Sequence, residues 1–408
     1  MGSLRTEISE IVTGLGLFGF RDLDRALAAR PRFITNVDDE VFDRLDAAFA
    51  DGADDELFRT AWENGRRFAR SDEGLRGRPP WHVEWKGPHR PPAYEQIPAD
   101  LRVDHVYLLS CKYGSNILMN ASPWHLFERG LSERRTERTD WFVEIAPEAL
   151  QELYDAALAH IARDGLPSRV IDLDRTHRTA LKQRLPRGRS WPAGVDRVYG
   201  EFAHAVAHRS AERWRATLDT PARREEMLWR LLRLQAAPYF VLGAAGDRTP
   251  LRFRVETPWD FRTRYRLRSF DVWADSVGQP LVRWRAAATD RVTGEARIVE
   301  GHVEVRWSHG KFGGAPEAKV YLDTPHHEVA GYVAIGCSNR SIARRAVFHR
   351  RSTNSRASRA SLATYARRVG SSSRWMCSRS TSTTGRPTSR DSGLSPHDRP
   401  RATPTSAR

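Results

Sequence analysis

Apolar residues in the first half of the chain recur at the spacing of helices buried on one side. Between Asp54 and Ala69 they fall at Leu57, Phe58, Ala61, Trp62, Phe68 and Ala69, which predicts an amphipathic helix. The same signal predicts helices from Glu148 to Ile161 (Leu150, Leu153, Tyr154, Ala157, Leu158) and from Val195 to Trp214 (Val198, Tyr199, Phe202, Val206). Thr220-Pro221, an N-cap followed by proline in the first turn, opens a further helix through Met227, Leu228, Leu231 and Leu232.

Elsewhere the period shortens to two. Trp81–Lys86 and Val103–Lys112 read as strands flanking a proline-rich loop, the second apolar on both faces and so expected to be one central strand. Alternating segments follow at Leu251–Val255, Phe270–Ala274, Leu281–Ala287, Ile298–Trp307 and Ala318–Leu322, with turns at Thr293-Gly294 and Gly313-Gly314. The expected fold class is α+β, with helices packed on a central sheet and a C-terminal antiparallel meander. Residues 1–245 form the main body with a hairpin at 81–113, and 246–336 supply the meander of the same globular body.

Charge separates a third region. Residues 337–408 hold 16 Arg and 2 Asp with no Lys or Glu, so they carry +14 of the net +15 and leave the preceding 336 residues near +1. Those 72 residues also contain 16 Ser and 8 Thr, and hydrophobic periodicity stops. Such a composition buries too little surface to offset ordering entropy, which predicts a disordered tail. Two origins are consistent with it: a natural Arg/Ser tail, or a GC-rich gene read out of frame. Either way the basic pI says nothing about a basic face on the body.

Of three cysteines, Cys111 alone lies outside the tail, which excludes a disulfide framework and a thiolate zinc site in the body and favours a reducing, cytoplasmic setting. No apolar run approaches bilayer length, so the body is expected to be soluble. Gly14-Leu15-Gly16-Leu17-Phe18-Gly19 spells GxGxxG, but the preceding Glu7–Val12 reads as helix rather than the strand a dinucleotide site requires.

Candidate chemistry centres on the two N-terminal strands. Asp104 and Lys112 share one face of the second strand, where charges are costly unless paired, metal-bound or at a cleft. The segment from about Asp54 to Phe127 resembles the PD-(D/E)XK nucleases, whose sheet carries an acidic residue and then an acid-x-Lys triplet that binds magnesium and an attacking water. In that resemblance Asp104 is the first acid and Ser110-Cys111-Lys112 is the triplet, with serine in place of its acid. On a single extended strand Asp104 and Ser110 stand about 20 Å apart, too far to share a metal. Glu84 solves this if a hairpin lays Trp81–Lys86 beside Ser110–Lys112, and the Glu84–Lys112 pair is then either a site or a salt bridge at a sheet edge. The resemblance implies a Mg²⁺-dependent enzyme hydrolysing DNA phosphodiester bonds, with Glu84 and Asp104 as metal ligands and Lys112 polarising water or phosphate.

A second acid-x-Lys triplet, Glu317-Ala318-Lys319, faces Glu304 across a turn, and Glu304, Glu317 and Lys319 form an alternative metal constellation or a solvated charged face. Arg178, Lys182, Arg184, Arg187 and Arg189 make a basic segment with Trp191 adjacent, able to track a phosphate backbone or to form a solvated loop. Arg262, Arg264, Arg266 and Arg268 alternate as on one strand face. Glu63 points to the polar side of its helix, and His204 and His208, one turn apart, lack the acid of an HExxH site. A non-catalytic role, binding a protein partner or nucleic acid, is the competing expectation.

Overall fold

The computed structural model describes residues 3–336 except 88–97, 115–116, 132–139, 162, 164, 187, 189 and 276–277. The predicted tail at 337–408 and the candidates Arg187 and Arg189 lie outside the described residues. The fold is α+β, as expected.

Helix α1 (Leu4–Leu15), capped by Ser3, is followed by α2 (Leu23–Ala29), α3 (Asp39–Asp51) and α4 (Asp55–Arg70). These helices cover one face of a mixed sheet in the order β1 (Ile34–Thr35), β2 (Val83–Trp85), β3 (Leu101–Val103), β4 (Tyr107–Tyr113), β6 (Tyr239–Ala244), β7 (Pro250–Val255), β12 (Tyr332–Ala334). β1 lies parallel to β2, the β2–β3 and β3–β4 pairs are antiparallel, and β6 lies parallel to β4. Parallel neighbours need a long crossover. Here it contains α5 (Pro123–Phe127), α6 (Trp141–Ile145), α7 (Pro147–Leu158), α8 (Arg175–Arg184), α9 (Val195–Thr217) and α10 (Pro221–Leu231).

β6 explains why the sheet is buried on both sides. Phe240 and Leu242 pack in the core under α1 and α4, whereas Tyr239 and Val241 join the second core on the opposite face. That second core also fills the space around α9 and an antiparallel sheet in the order β5 (Ile117–Ala121), β11 (Glu317–Leu322), β10 (Ala296–Arg306), β9 (Leu281–Asp290), β8 (Tyr265–Asp275). The meander from β8 to β11 is therefore real, but Leu251–Val255 is not in it: β7 pairs with β6, and β5 from the first half completes the second sheet instead.

The glycines at 14–19 serve packing. A Cβ at Gly16 would sit 2.5 Å from the Trp62 carbonyl oxygen, and one at Gly65 of α4 would sit 2.1 Å from that of Thr13. Two helices crossing backbone to backbone require that absence of side chain. Gly14 is helical and Gly19 has φ 76°, so no strand precedes the motif.

Two strand expectations fail for local reasons. Val103–Lys112 is not one strand, because Asp104 (φ 50°) and His105 (φ 59°) turn the chain between β3 and β4. Aspartate tolerates this left-handed conformation better than most residues. The Arg262–Arg268 stripe is also broken. Arg262 and Arg264 lie on α11 (Pro258–Arg264), where Thr257 and Asp260 form a capping box, and only Arg266 and Arg268 lie on β8.

Candidate active site

The hairpin register decides which acids can meet Lys112. Glu84 faces Arg102, and Arg102 faces Leu108, so β3 stands between β2 and β4. Two strand spacings and four residue rises separate Glu84 from Lys112 by about 16 Å. The Glu84 carboxylate instead accepts from Arg102 Nε at 2.6 Å. Asp104 sits at the far end of the hairpin, where it pairs with Arg78 at 2.5 Å and accepts from the Trp81 and His82 backbone N–H groups at 3.0 and 3.2 Å. Both acids hold structure together, and neither reaches Lys112. The expected meeting of Glu84 with Lys112 is corrected accordingly: β3 lies between their strands.

The same register brings a different acid into place. Leu101 pairs with Leu109, which sets Asp100 beside Ser110 at the base of the hairpin. Asp100 Oδ2 accepts from the Cys111 N–H at 2.7 Å and lies 3.4 Å from Ser110 Oγ, a long hydroxyl contact. Lys112 follows two residues on, on the face shared with Ser110. No hydrogen bond or ion pair engages its ammonium among the described residues.

Ser110 and Lys112 open on a narrow cleft of about 40 Å³, with Pro98, Arg233, Tyr239 and His326 on its walls. That space holds a few waters or a small ion but not a nucleotide, so an extended substrate would lie across the mouth. Arg233 donates to the Leu118 carbonyl at 3.0 Å, and its own carbonyl accepts from Tyr239 OH at 3.3 Å. Burial pushes the Tyr239 hydroxyl up to about 12, so it stays protonated. Burial also holds the His326 ring below its ordinary range, with Asp247 opposing and His327 reinforcing that shift. Among the described residues lining this wall the basic side chains besides His326 are Lys112 and Arg233, with the Asp100 carboxylate behind Ser110. Such a balance attracts an anion.

Below Cys111 the strand is anchored on its other face. Asn64 of α4, fully buried, donates to the Gly243 carbonyl at 3.0 Å and to Tyr113 OH at 3.1 Å, and accepts from Arg252 Nε at 2.7 Å. This network ties α4, β4, β6 and β7 together directly behind Lys112, so the lysine's backbone is fixed even though its head has no partner among the described residues. Burial raises the Cys111 thiol, which makes it an inert packing group.

The second constellation is taken up internally. Glu304 is buried and accepts from Gln279 Nε2 at 2.6 Å and from Tyr321 OH at 3.1 Å, with Arg306 3.4 Å away. Glu317 accepts from Ser308 and is paired in register with Arg306, whereas Lys319 lies opposite Glu304. Among the described residues no three His, Cys, Asp or Glu side chains converge as a metal cage. Arg178 is also committed, donating to the carbonyls of Leu173 at 3.2 Å and Phe312 at 2.8 Å, so it is a staple and not a phosphate contact. Lys182 and Arg184 remain exposed on α8. His204 and His208 are exposed, and Glu63 pairs with Arg67 at 2.6 Å.

Asp100 is the residue the sequence reading missed. Its signal was Asp104-His105, a pair able to turn the chain; once a turn is placed there, the register carries Asp100 to Ser110. In comparisons with known proteins, no family model, no curated protein and no solved structure matches this chain. Among the described residues no helix is long and apolar enough to cross a membrane.

Proposed function

We propose that the chain is a magnesium-dependent phosphodiester hydrolase acting on DNA, with Asp100, Ser110 and Lys112 as its centre. The observation that carries the reading is that Ser110 and Lys112 line one cleft, with the Lys112 ammonium unpaired among the described residues and Asp100 in contact with Ser110. Asp100 would stand as the first acid of the nuclease resemblance in place of Glu84 and Asp104, and Ser110-Cys111-Lys112 as its triplet with serine in place of the second acid. Mg²⁺ takes hard oxygen ligands and is commonly held through one or two carboxylates plus substrate phosphate. A single carboxylate next to a hydroxyl oxygen fits that habit, and the ion would neutralise charge on the scissile phosphate.

The chain's own groups divide the remaining work. The Cys111 N–H and the nearby Ser110 hydroxyl fix the orientation of Asp100, and the β4–β6 pairing fixes Lys112. An ammonium about 4 Å from a phosphate oxygen is worth about 4 kcal/mol in a partly wet site, and it gains as charge builds on that oxygen. Arg233 offers a second cation to the neighbouring phosphate. The exposed Lys182 and Arg184 supply at most a peripheral attraction for the strand.

One observation favours a different role. The triplet has serine where a second acid would stand, and a one-carboxylate site that binds DNA without cleaving it would make the protein an accessory factor. Nicking of supercoiled plasmid by the full chain in millimolar Mg²⁺ separates the two. Hydrolysis predicts Mg²⁺-dependent nicking that falls about 100-fold or more in Lys112→Ala and Asp100→Asn and persists in Glu84→Gln. DNA binding with no turnover at any Mg²⁺ concentration would establish the accessory role instead.

A further inference from the structure

A larger cavity lies apart from that cleft, where α9, Gly188, Trp191 and the β10–β11 turn meet. Its volume is about 350 Å³, within the size range of small-molecule sites. One wall is a run of rings. Trp191 and Tyr199 have centroids 5.1 Å apart, Tyr199 and Phe202 6.2 Å, and Phe202 and Trp307 5.9 Å with planes only 5° from parallel. Trp191 is held in place by Lys311, whose ammonium lies 4.8 Å from the ring centroid and donates to the carbonyls of Pro186, Gly188 and Ser190 at 2.7, 3.2 and 2.6 Å. That lysine is fully used in shaping the wall.

Two other cations are not fully used. Lys319 lines the cavity, and no hydrogen bond or ion pair engages it among the described residues. Arg306 also lines it, and among the described residues its buried Nε–H has no acceptor although its guanidinium lies 3.4 Å from Glu304. A buried donor without an acceptor is unfavourable and is relieved by a ligand that brings one. Flat rings on one side with spare cationic donors on the other match a ligand that is planar and aromatic at one end and anionic at the other.

We propose that this cavity binds a nucleotide, with its base against the Tyr199–Trp307 wall and its phosphate on Lys319 and Arg306. Stacking on aromatic side chains is tolerant of base identity, and the charge-assisted contacts supply the anion preference. A free nucleoside monophosphate and a nucleotide turned out of a DNA strand share this chemistry. The site is built without Asp100, Ser110 or Lys112, so it stands whether or not the hydrolase reading does.

The test is tryptophan fluorescence of the full chain titrated with the common nucleoside 5′-monophosphates, with inorganic phosphate, and with a DNA duplex bearing one unpaired base or none. Saturable quenching by a monophosphate is expected, weakened at least 10-fold in Lys319→Gln, restored in Lys319→Arg and weakened again in Tyr199→Leu, with circular dichroism unchanged. If the unpaired-base duplex binds at least 10-fold tighter than the matched duplex, and Lys319→Gln removes that advantage, the ligand is a flipped nucleotide; saturation by monophosphates without that advantage marks a free one. Absence of saturable binding by monophosphates and by the unpaired-base duplex overturns the proposal, as does binding that is indifferent to both Lys319→Gln and Tyr199→Leu.

Discussion

Replacing glycine by alanine should have opposite effects at two helical positions of this protein. In a helix interior the change is worth about 1 kcal/mol in favour of folding. Gly200, on the exposed side of α9, has nothing within 4 Å of where a Cβ would stand, so Gly200→Ala should realise that gain. At Gly65 the new Cβ would lie 2.1 Å from the Thr13 carbonyl oxygen and 3.0 Å from Gly16 Cα. These are backbone atoms, which no rotamer change can move. Relief requires α1 and α4 to part by about 1 Å, and a gap of that size forfeits up to about half of each dispersion contact across the interface. Overpacking of this kind costs up to about 3 kcal/mol, so Gly65→Ala should be destabilising by about 2 kcal/mol net. With an unfolding entropy of about 2.1 cal/mol/K per residue over about 330 residues, Tm should fall by about 3 °C, against a rise of about 1 °C for Gly200→Ala. Thermal unfolding followed by circular dichroism at 222 nm reads both. A Gly65→Ala protein at least as stable as wild type would refute the close-approach account of the Gly14–Gly19 motif.

Other consequences follow from the same structure. Asn64→Leu removes two bonds donated by the amide and one accepted from Arg252, and should cost about 2–4 kcal/mol in urea unfolding; a loss under 1 kcal/mol would mean the network is not structural. His326 titrates below its ordinary value of 6.5 when folded, so the unfolded chain takes up the proton first and stability should decline as pH falls below about 6.5. Its ring stacks on Phe253 at 5.2 Å, and His326→Phe keeps that contact, so the variant's Tm should drop less than wild type between pH 7.5 and 5.5; equal drops would contradict the assignment. Glu84→Gln weakens the pair with Arg102 and should leave any phosphodiesterase rate within about twofold of wild type, since about 16 Å separates Glu84 from Lys112.

Much of this architecture is legible in local pattern. The 3.6-residue periods at 54–69, 148–161 and 195–214 became α4, α7 and α9, and the Thr220-Pro221 signal became the start of α10, where Thr220 Oγ1 accepts from the Arg223 N–H at 3.3 Å. Thr257-Pro258 carries the same signal, yet the arginine alternation that follows reads as strand and hides α11. Strand partners are less legible because pairing is decided by distant segments: nothing local in Ile117–Ala121 says that β5 joins β11, or in Leu251–Val255 that β7 leaves the meander for β6. The contacts of the candidate residues are legible only in part for the same reason. Lys112 stands out as a charge ending a buried strand, whereas the placement of Asp100 beside Ser110 depends on a register set by the turn at Asp104-His105.

The most direct test of the central claim is a double-mutant cycle on Mg²⁺-dependent DNA cleavage, measured as single-turnover rates of wild type, Asp100→Asn, Lys112→Ala and the double variant. If the two residues act on one phosphate, each single change should cost about 100-fold or more and the double little beyond that, as groups working as a unit do. Cleavage that survives both substitutions, or a folded wild type that binds DNA and never cleaves it, would contradict the account.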